Sequence, residues 1–399
     1  MKALLLENIH VEAVKLLESE GIEVETRKGA LDESELIEAV QDVQLLGIRS
    51  KTQVTRRVLE NAPQLLSVGA FSIGVNQIDL QAASDTSVAA FNAPYSNTRS
   101  VVELAIGEII NLARHLGDHN RNMHNGLWDK TAKGSHEVRG RTLGIVGYGN
   151  IGSQLSVLAE SLGMRVYFYD AVDRLALGNA VRCNSLEELL NTVETVSVHV
   201  DGRVENTNMF NAETFAMMRP RTIFLNLSRG HVVDLEALRD NLLSGHIAGA
   251  GLDVYPVEPK KAGDPFESVL QGIPNVLLTP HVGGSTAEAQ EDIGRFVAGK
   301  FRDYVRGGST YMSVNLPEIS LEPLTQGSRL LHLHQNVPGV MSSVNSVLGA
   351  HGVNIDRQQL ATKGQQGYVV TDCSGGVPQA ALDEIRDLEA TTRLTVLTA

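Results

Sequence analysis

The hexapeptide Gly147-Tyr148-Gly149-Asn150-Ile151-Gly152, set directly after the apolar run Leu143-Gly144-Ile145-Val146, constrains this chain more than any other segment. Glycines at that spacing meet three steric demands: a tight strand-to-helix turn, close approach of backbone to a pyrophosphate, and close packing of the next helix on the sheet. Free N–H groups at that helix's N-terminus, with the positive end of its dipole, hold the phosphates. Gly147, Gly149, Asn150, Ile151 and Gly152 are therefore candidate cofactor-binding positions. A second strand-like run, Val166-Tyr167-Phe168-Tyr169, ends in Asp170, 18 residues past Gly152 and placed to accept from the adenosine ribose hydroxyls. An acid there repels a 2′-phosphate, so the expected cofactor is NAD rather than NADP.

Apolar runs of strand length continue on both sides of the fingerprint. Before it lie Lys2 to Leu6, Ile22 to Val24 and Leu45 to Ile48, with a helix over Ala13 to Ser19. After it come Thr195 to Val200, Thr222 to Leu227, Ala248 to Asp253 and Val276 to Thr279. Strands alternating with helical segments predict an α/β protein with two doubly wound, Rossmann-like parallel-sheet lobes. A helix from Thr98 links the lobes, and a helical pattern over Ala287 to Val305 returns to the first. The last stretch reads strand, helix, strand, strand, helix, strand: Leu330 to His334, a helix opened by Pro338, Val353 to Leu360, Tyr368 to Asp372, Gln379 to Leu388 and Arg393 to Leu397. This βαββαβ order is ferredoxin-like. The expected division is 1–97 with 285–325, 98–284, and 326–399.

At 399 residues, 42% hydrophobic and 20% charged, the chain has the composition of a globular protein of two or three domains. A net charge of -13 disfavours nucleic-acid and anionic-membrane partners, whose affinity comes from basic patches. No apolar run approaches the roughly 18 residues of a transmembrane helix. Met1 to Glu7 reaches an acid too soon for a secretory leader, so a cytoplasmic location is expected. Cys183 and Cys373 stand far apart without a CxxC and read as packing residues.

Three further signatures carry chemistry. Asn226-Leu227-Ser228-Arg229-Gly230, Gly251-Leu252-Asp253-Val254-Tyr255-Pro256-Val257-Glu258-Pro259 and Leu278-Thr279-Pro280-His281-Val282-Gly283-Gly284-Ser285-Thr286 each follow an expected strand. Ligands of open α/β sheets bind at the carboxyl ends of strands. Arg229, Glu258 and His281 at three such ends suit hydride transfer. A histidine takes and returns the hydroxyl proton near neutrality. A carboxylate on its other ring nitrogen fixes the tautomer, and a guanidinium holds a substrate carboxylate bidentately.

GYGNIG, NLSRG, GLDVYPVEP and LLTPHVGGST, in that order, resemble the D-2-hydroxyacid dehydrogenase family. Gly47-Ile48-Arg49-Ser50, Ile73 to Asp79 and Phe91 to Ser100 narrow the likeness to the branch that oxidises 3-phosphoglycerate to 3-phosphohydroxypyruvate, and the C-terminal unit resembles that branch's serine-sensing ACT domain. The resemblance implies that Arg229, Glu258 and His281 are catalytic and that Asp253 contacts the nicotinamide amide. It implies that Arg49, Ser50, Asn97 and Gly283 hold the phosphorylated hydroxy acid. Trp128 and Lys130 fall where the family reaches into a neighbouring subunit's site, implying an oligomer, a homotetramer. His334, Asn336 and Asn354 fall at the effector positions for L-serine. After Val198-His199-Val200 the family usually has Pro, whereas Asp201-Gly202 stands here, and a differently shaped loop is expected. Val337 likewise replaces a residue often charged there.

Two other readings remain open: a reductase of unphosphorylated 2-oxo acids such as 2-oxoglutarate, and an inactive, cofactor-bound amino-acid sensor. A metalloenzyme is disfavoured, because His115 and His119, spaced for one helix face, have no acidic or Cys partner in a zinc-like pattern. No metal is expected.

Overall fold

A computed structural model describes residues 1–259 and 263–399. They fall into two compact units, Met1–Ser96 with Gln290–Ala399, and Asn97–Ala289. Three sheets are distributed over these units. Among the described residues no helix is long and apolar enough to cross a membrane.

In the first unit, β1 (Lys2–Leu5), β2 (Glu23–Thr26), β3 (Leu45–Ile48), β4 (Ser67–Ala70) and β5 (Ala89–Asn92) form a parallel sheet in the order β2-β1-β3-β4-β5. Every residue of β3, β4 and β5 is buried. Helices cover both faces of such a sheet, which is why these strands read as unbroken apolar runs rather than alternating ones. The strand order reverses between β1 and β3, so a crevice opens outside their carboxyl ends. Glu7 follows β1 there, and Arg49 and Ser50 follow β3.

The second unit carries β6 (Thr142–Val146), β7 (Arg165–Tyr169), β8 (Val181–Arg182), β9 (Thr195–Val198), β10 (Thr222–Asn226), β11 (Ile247–Leu252) and β12 (Val276–Leu278). All pairings are parallel, in the order β12-β11-β10-β9-β6-β7-β8. Here the reversal lies between β6 and β9, beside the glycine fingerprint. The helix Thr98–Arg114 packs Val102, Ala105, Ile109 and Leu112 against Leu143, Ile145 and Leu225.

β13 (Ser328–Gln335), β14 (Ile355–Lys363), β15 (Gln366–Cys373) and β16 (Thr391–Thr398) form an antiparallel sheet in the order β14-β15-β13-β16, the ferredoxin-like arrangement. Leu330 packs with Val344, Leu348, Leu382 and Ile385 of the two covering helices. Its neighbours Leu331 and Leu333 point the other way and, with Tyr368 and Val370, join the core holding Phe91, Tyr304 and Leu316. The Tyr368 hydroxyl donates to the Gly308 carbonyl at 2.6 Å, and buried Arg329 donates to the Gly307 and Glu322 carbonyls while pairing with Asp372. These bonds tie the C-terminal sheet into the first unit, so the expected three-part division appears as three sheets in two units.

The fold class and the βαββαβ order of the C-terminal elements match the sequence expectation. One helical expectation does not hold: His115 has φ 53° and separates the helix Thr98–Arg114 from the helix Leu116–His124. His115 and His119 therefore do not share one continuous helix face, and His115 Nε2 lies 3.2 Å from the Gly134 carbonyl. Both cysteines are buried and free.

Candidate active site

The turn after β6 is closed by tertiary contacts a sequence cannot show. Gly147 has φ 92°, and a Cβ there would lie 2.6 Å from the His199 carbonyl oxygen. A Cβ on Gly152 would collide with the Gly147 carbonyl, whereas one on Gly149 would meet open space. Gly147 and Gly152 let strand, loop and helix close together, and Gly149 leaves backbone bare where a phosphate approaches. The helix Asn150–Ser161 starts here. Asp170 accepts from the Tyr148 N–H at 2.8 Å and the Val172 N–H at 2.9 Å, with Arg174 Nε 3.7 Å away. A cavity of about 240 Å³ is lined by Gly147, Gly149, Asp170, His199, Asp201 and Arg203, among others. Bare glycine backbone, a helix N-terminus and an oriented acid fit a dinucleotide.

Chemistry gathers at the ends of β10, β11 and β12. His281 Nδ1 lies 2.8 Å from Glu258 Oε2, and Glu258 Oε1 accepts from the Tyr255 N–H at 3.2 Å. The hydrogen bond to Glu258 raises the His281 imidazole above its ordinary 6.5 against the opposing effect of burial. Burial pushes Glu258 up, but the bond and charge of His281 outweigh it and hold the carboxyl below the usual carboxylate range. His281 sits at φ 55°, an uncommon region for a residue with a Cβ.

Asp253 sustains that turn. Its carboxylate accepts from Thr279 Oγ1 at 2.6 Å, the Val282 N–H at 2.8 Å and the Gly283 N–H at 2.7 Å. Three of roughly four acceptor positions on a carboxylate are thereby filled. The Tyr255 hydroxyl adds a tie, 2.9 Å from the Leu252 carbonyl and 3.0 Å from that of Thr279.

Arg229 follows β10 in extended backbone (φ −143°). Its Nη1 donates to the Ser228 carbonyl at 2.7 Å, and it forms no ion pair among the described residues. Its charge contributes to holding both Glu258 and Asp201 down. The departing loop packs here: a Cβ on Gly202 would lie 3.3 Å from Arg229 Cγ and Nε, while Asp201 pairs with Arg203. Gly230 fixes the spacing of the Arg229 and Glu258 loops, because a Cβ there would run into the Tyr255 carbonyl. Gly230→Ala must separate the two loops. We expect it to cost about 1–3 kcal/mol in denaturant unfolding and to lower kcat/KM roughly 10²-fold through misplacement; wild-type values in both would refute the tie.

The other sequence-predicted residues are placed as follows. Arg49 and Ser50 ride a loop whose four N–H groups, from Arg49 to Thr52, converge on the Glu7 carboxylate at 2.8–3.2 Å. Arg49 itself has no ion pair among the described residues. Asn97 begins the helix Thr98–Arg114, and a Cβ on Gly284 would strike its amide. Lys130 and the 77%-exposed Trp128 line a shallow cavity of about 280 Å³ with Met123. His334 is buried, with Nδ1 2.8 Å from the Gln335 carbonyl and Nε2 unpartnered. Asn336 donates to the Gly364 carbonyl at 3.2 Å, and Asn354 to Asp356 at 3.1 Å. Among the described residues no hydrogen bond joins those three.

Residues 106–283 match the D-isomer specific 2-hydroxyacid dehydrogenase NAD binding domain, and residues 330–393 match the AHAS small subunit-like ACT domain. Fold and site together define an NAD-dependent dehydrogenase of D-2-hydroxy acids. Over 400 residues the chain is 48% identical to D-3-phosphoglycerate dehydrogenase of Escherichia coli strain K12, covering 100% of this chain and 97% of that one. It is 46% identical to D-3-phosphoglycerate dehydrogenase 2 of Saccharomyces cerevisiae, over 96% of this chain and 84% of that one. A solved structure, a novel D-lactate dehydrogenase from Sporolactobacillus sp., superposes with a TM-score of 0.70 at 27% identity, over 79% of this chain and 99% of that one. The chain belongs to the D-3-phosphoglycerate dehydrogenases within the D-2-hydroxyacid dehydrogenase family.

Proposed function

We propose that this protein catalyses the NAD-dependent oxidation of 3-phospho-D-glycerate to 3-phosphohydroxypyruvate, the first step towards L-serine, and is inhibited by L-serine. The observation that carries the catalytic reading is the 2.8 Å His281–Glu258 bond on a turn anchored by Asp253, beside the unpaired Arg229. The substrate reading rests on the relatives' likeness over the whole chain and on Arg49, a second unpaired cation on a loop ordered by Glu7.

Gly147, Gly149, Asn150, Ile151, Gly152 and Asp170 hold the cofactor. Bound NAD supplies the hydride acceptor. His281, neutral in the oxidative direction, takes the proton of the 2-hydroxyl at Nε2, and Glu258 stabilises the resulting imidazolium through Nδ1. Arg229 binds the substrate carboxylate and favours the charge distribution of the carbonyl that forms. Arg49 and Ser50 receive the phosphate, with Asn97 and Gly283 as further substrate contacts. Asp253 has one acceptor position left for the nicotinamide amide. Trp128 and Lys130 serve a neighbouring subunit of a cytoplasmic homotetramer.

His334, Asn336 and Asn354 form the serine site. Asn336→Ala is expected to weaken inhibition roughly tenfold, the order of one lost hydrogen bond to a charged ligand. Initial rates of NADH oxidation with 3-phosphohydroxypyruvate, titrated with L-serine, test both halves. Turnover suppressed by serine in the wild type and less so in Asn336→Ala supports the reading. Turnover indifferent to serine sinks the regulatory half, and unchanged inhibition of the variant sinks the assignment of Asn336.

A further inference from the structure

Behind the catalytic turn lies a carboxyl group with no evident work. Glu108, in the helix Thr98–Arg114, is 4% exposed, and both of its oxygens are buried without a hydrogen-bond partner. An ionised carboxylate left so would be very costly, since buried charges are otherwise paired or neutralised by a proton. The site is sterically committed to it: a Cβ on Gly251 would collide with Glu108 Oε2. Asp253 follows the end of β11, and a Cβ on Gly283 would meet Asp253 Oδ2 together with Val101 and Leu104 of the helix that carries Glu108. Asp253, 2% exposed, is the charge that bears on Glu108.

We propose that Glu108 is a positioning residue that works as a neutral, proton-carrying acid. While it keeps its proton, the Asp253 carboxylate holds the Val282 and Gly283 amides and so the turn that presents His281. Loss of the proton places two carboxylates together in one dry site and loosens that turn. The inference rests on the proposed dehydrogenase reading and adds to it a residue that touches neither substrate nor cofactor.

The surroundings contain little that could hold the ionised form. Of the elements packed against this helix, β10, β11 and β12 carry no ionisable side chain. The helix Asn150–Ser161 carries Glu160, and the helix Leu116–His124 carries Asp118, His119, Arg121 and His124. None of these acts on Glu108; burial, then the charge of Asp253, pushes its carboxyl up to about 8. The Tyr255 hydroxyl, itself pushed up by burial first and by both acids, is a further titratable neighbour, and the helix of Glu108 itself carries Arg99, Glu103 and Arg114.

The test uses the full-length enzyme in the oxidative direction, where neutral His281 makes the rate rise with pH, so that a fall above about pH 8 must have another source. Wild-type kcat is expected to fall by up to tenfold per pH unit above that point, as a single deprotonation dictates. In Glu108→Gln, which has nothing to ionise, the fall should vanish. A Glu108→Gln limb superposable on the wild type would overturn the proposal.

A second readout is independent of turnover. Between 4.5, the ordinary carboxyl value, and about 8, folded Glu108 keeps a proton that the unfolded chain has lost. Stability of the wild type relative to Glu108→Gln or Glu108→Leu must therefore decline as pH rises through that window, by up to tenfold per unit in the unfolding equilibrium, and level off above it. Thermal unfolding of all three between pH 5 and 9 should show the variants' advantage growing with pH. Parallel curves would overturn the proposal even if 3-phosphoglycerate proved not to be a substrate, and absence of turnover with a growing advantage would count against the substrate alone.

Discussion

His281→Asn is expected to lower kcat in both directions by roughly 10²–10⁴-fold, the usual contribution of a positioned acid–base group, while leaving KM for NADH little changed. The asparagine keeps a polar atom near Glu258 and tolerates the left-handed backbone at φ 55°, so the loss reports proton transfer rather than a collapsed turn. The wild-type pH dependence carries the same signature with a defined sign. In the proposed mechanism reduction needs the imidazolium. Because the bond to Glu258 raises the His281 pKa above 6.5, reduction should hold its plateau through neutrality and fall as pH passes that raised value. Oxidation needs the neutral ring and should rise over the same interval. Steady-state rates across pH 6 to 9 check both, and an Asn variant with near wild-type kcat would remove His281 from the chemistry.

Arg229→Leu should cost about 30- to 5,000-fold in kcat/KM, the equivalent of about 2–5 kcal/mol for removing one partner of a desolvated, hydrogen-bonded charge pair. The effect should divide between KM, through the lost carboxylate, and kcat, through lost stabilisation of developing charge. Arg229→Lys restores the charge without the planar fork, so it should recover part of the KM and little of the kcat. Cofactor binding, followed by quenching of Trp128 or by calorimetry, should be nearly unaffected. A variant that loses NADH affinity as severely as turnover would reassign Arg229 to the cofactor.

The fold was legible because its parallel strands are buried on both faces. Leu45–Ile48 and Thr222–Asn226 carry no polar alternation to mistake for a surface, and the glycine fingerprint marks where the second sheet reverses. The His281–Glu258 pair was legible because both residues stand just past strand ends, where a sheet delivers its side chains to one edge. What escaped depends on contacts between residues far apart in sequence. Glu7 looked like an acid ending a strand, yet it orders four amides more than 40 residues away. Glu108 carries no sequence signal that sets it apart in its helix, and only the packing shows that Gly251 makes room for it. Asp253 gave no sign that its carboxylate faces the turn after His281, and the break between helices falls at His115 rather than at the nearby Gly117, which lies inside the second helix.

The most direct test of the account compares initial rates of NADH oxidation with 3-phosphohydroxypyruvate and with 2-oxoglutarate on the purified full-length protein. The proposed assignment of Arg229 to the carboxylate and Arg49 to the phosphate predicts rapid turnover that strongly favours the phosphorylated acid and falls when Arg49 is replaced by leucine. Equal or faster turnover of 2-oxoglutarate, with no penalty in Arg49→Leu, would contradict it.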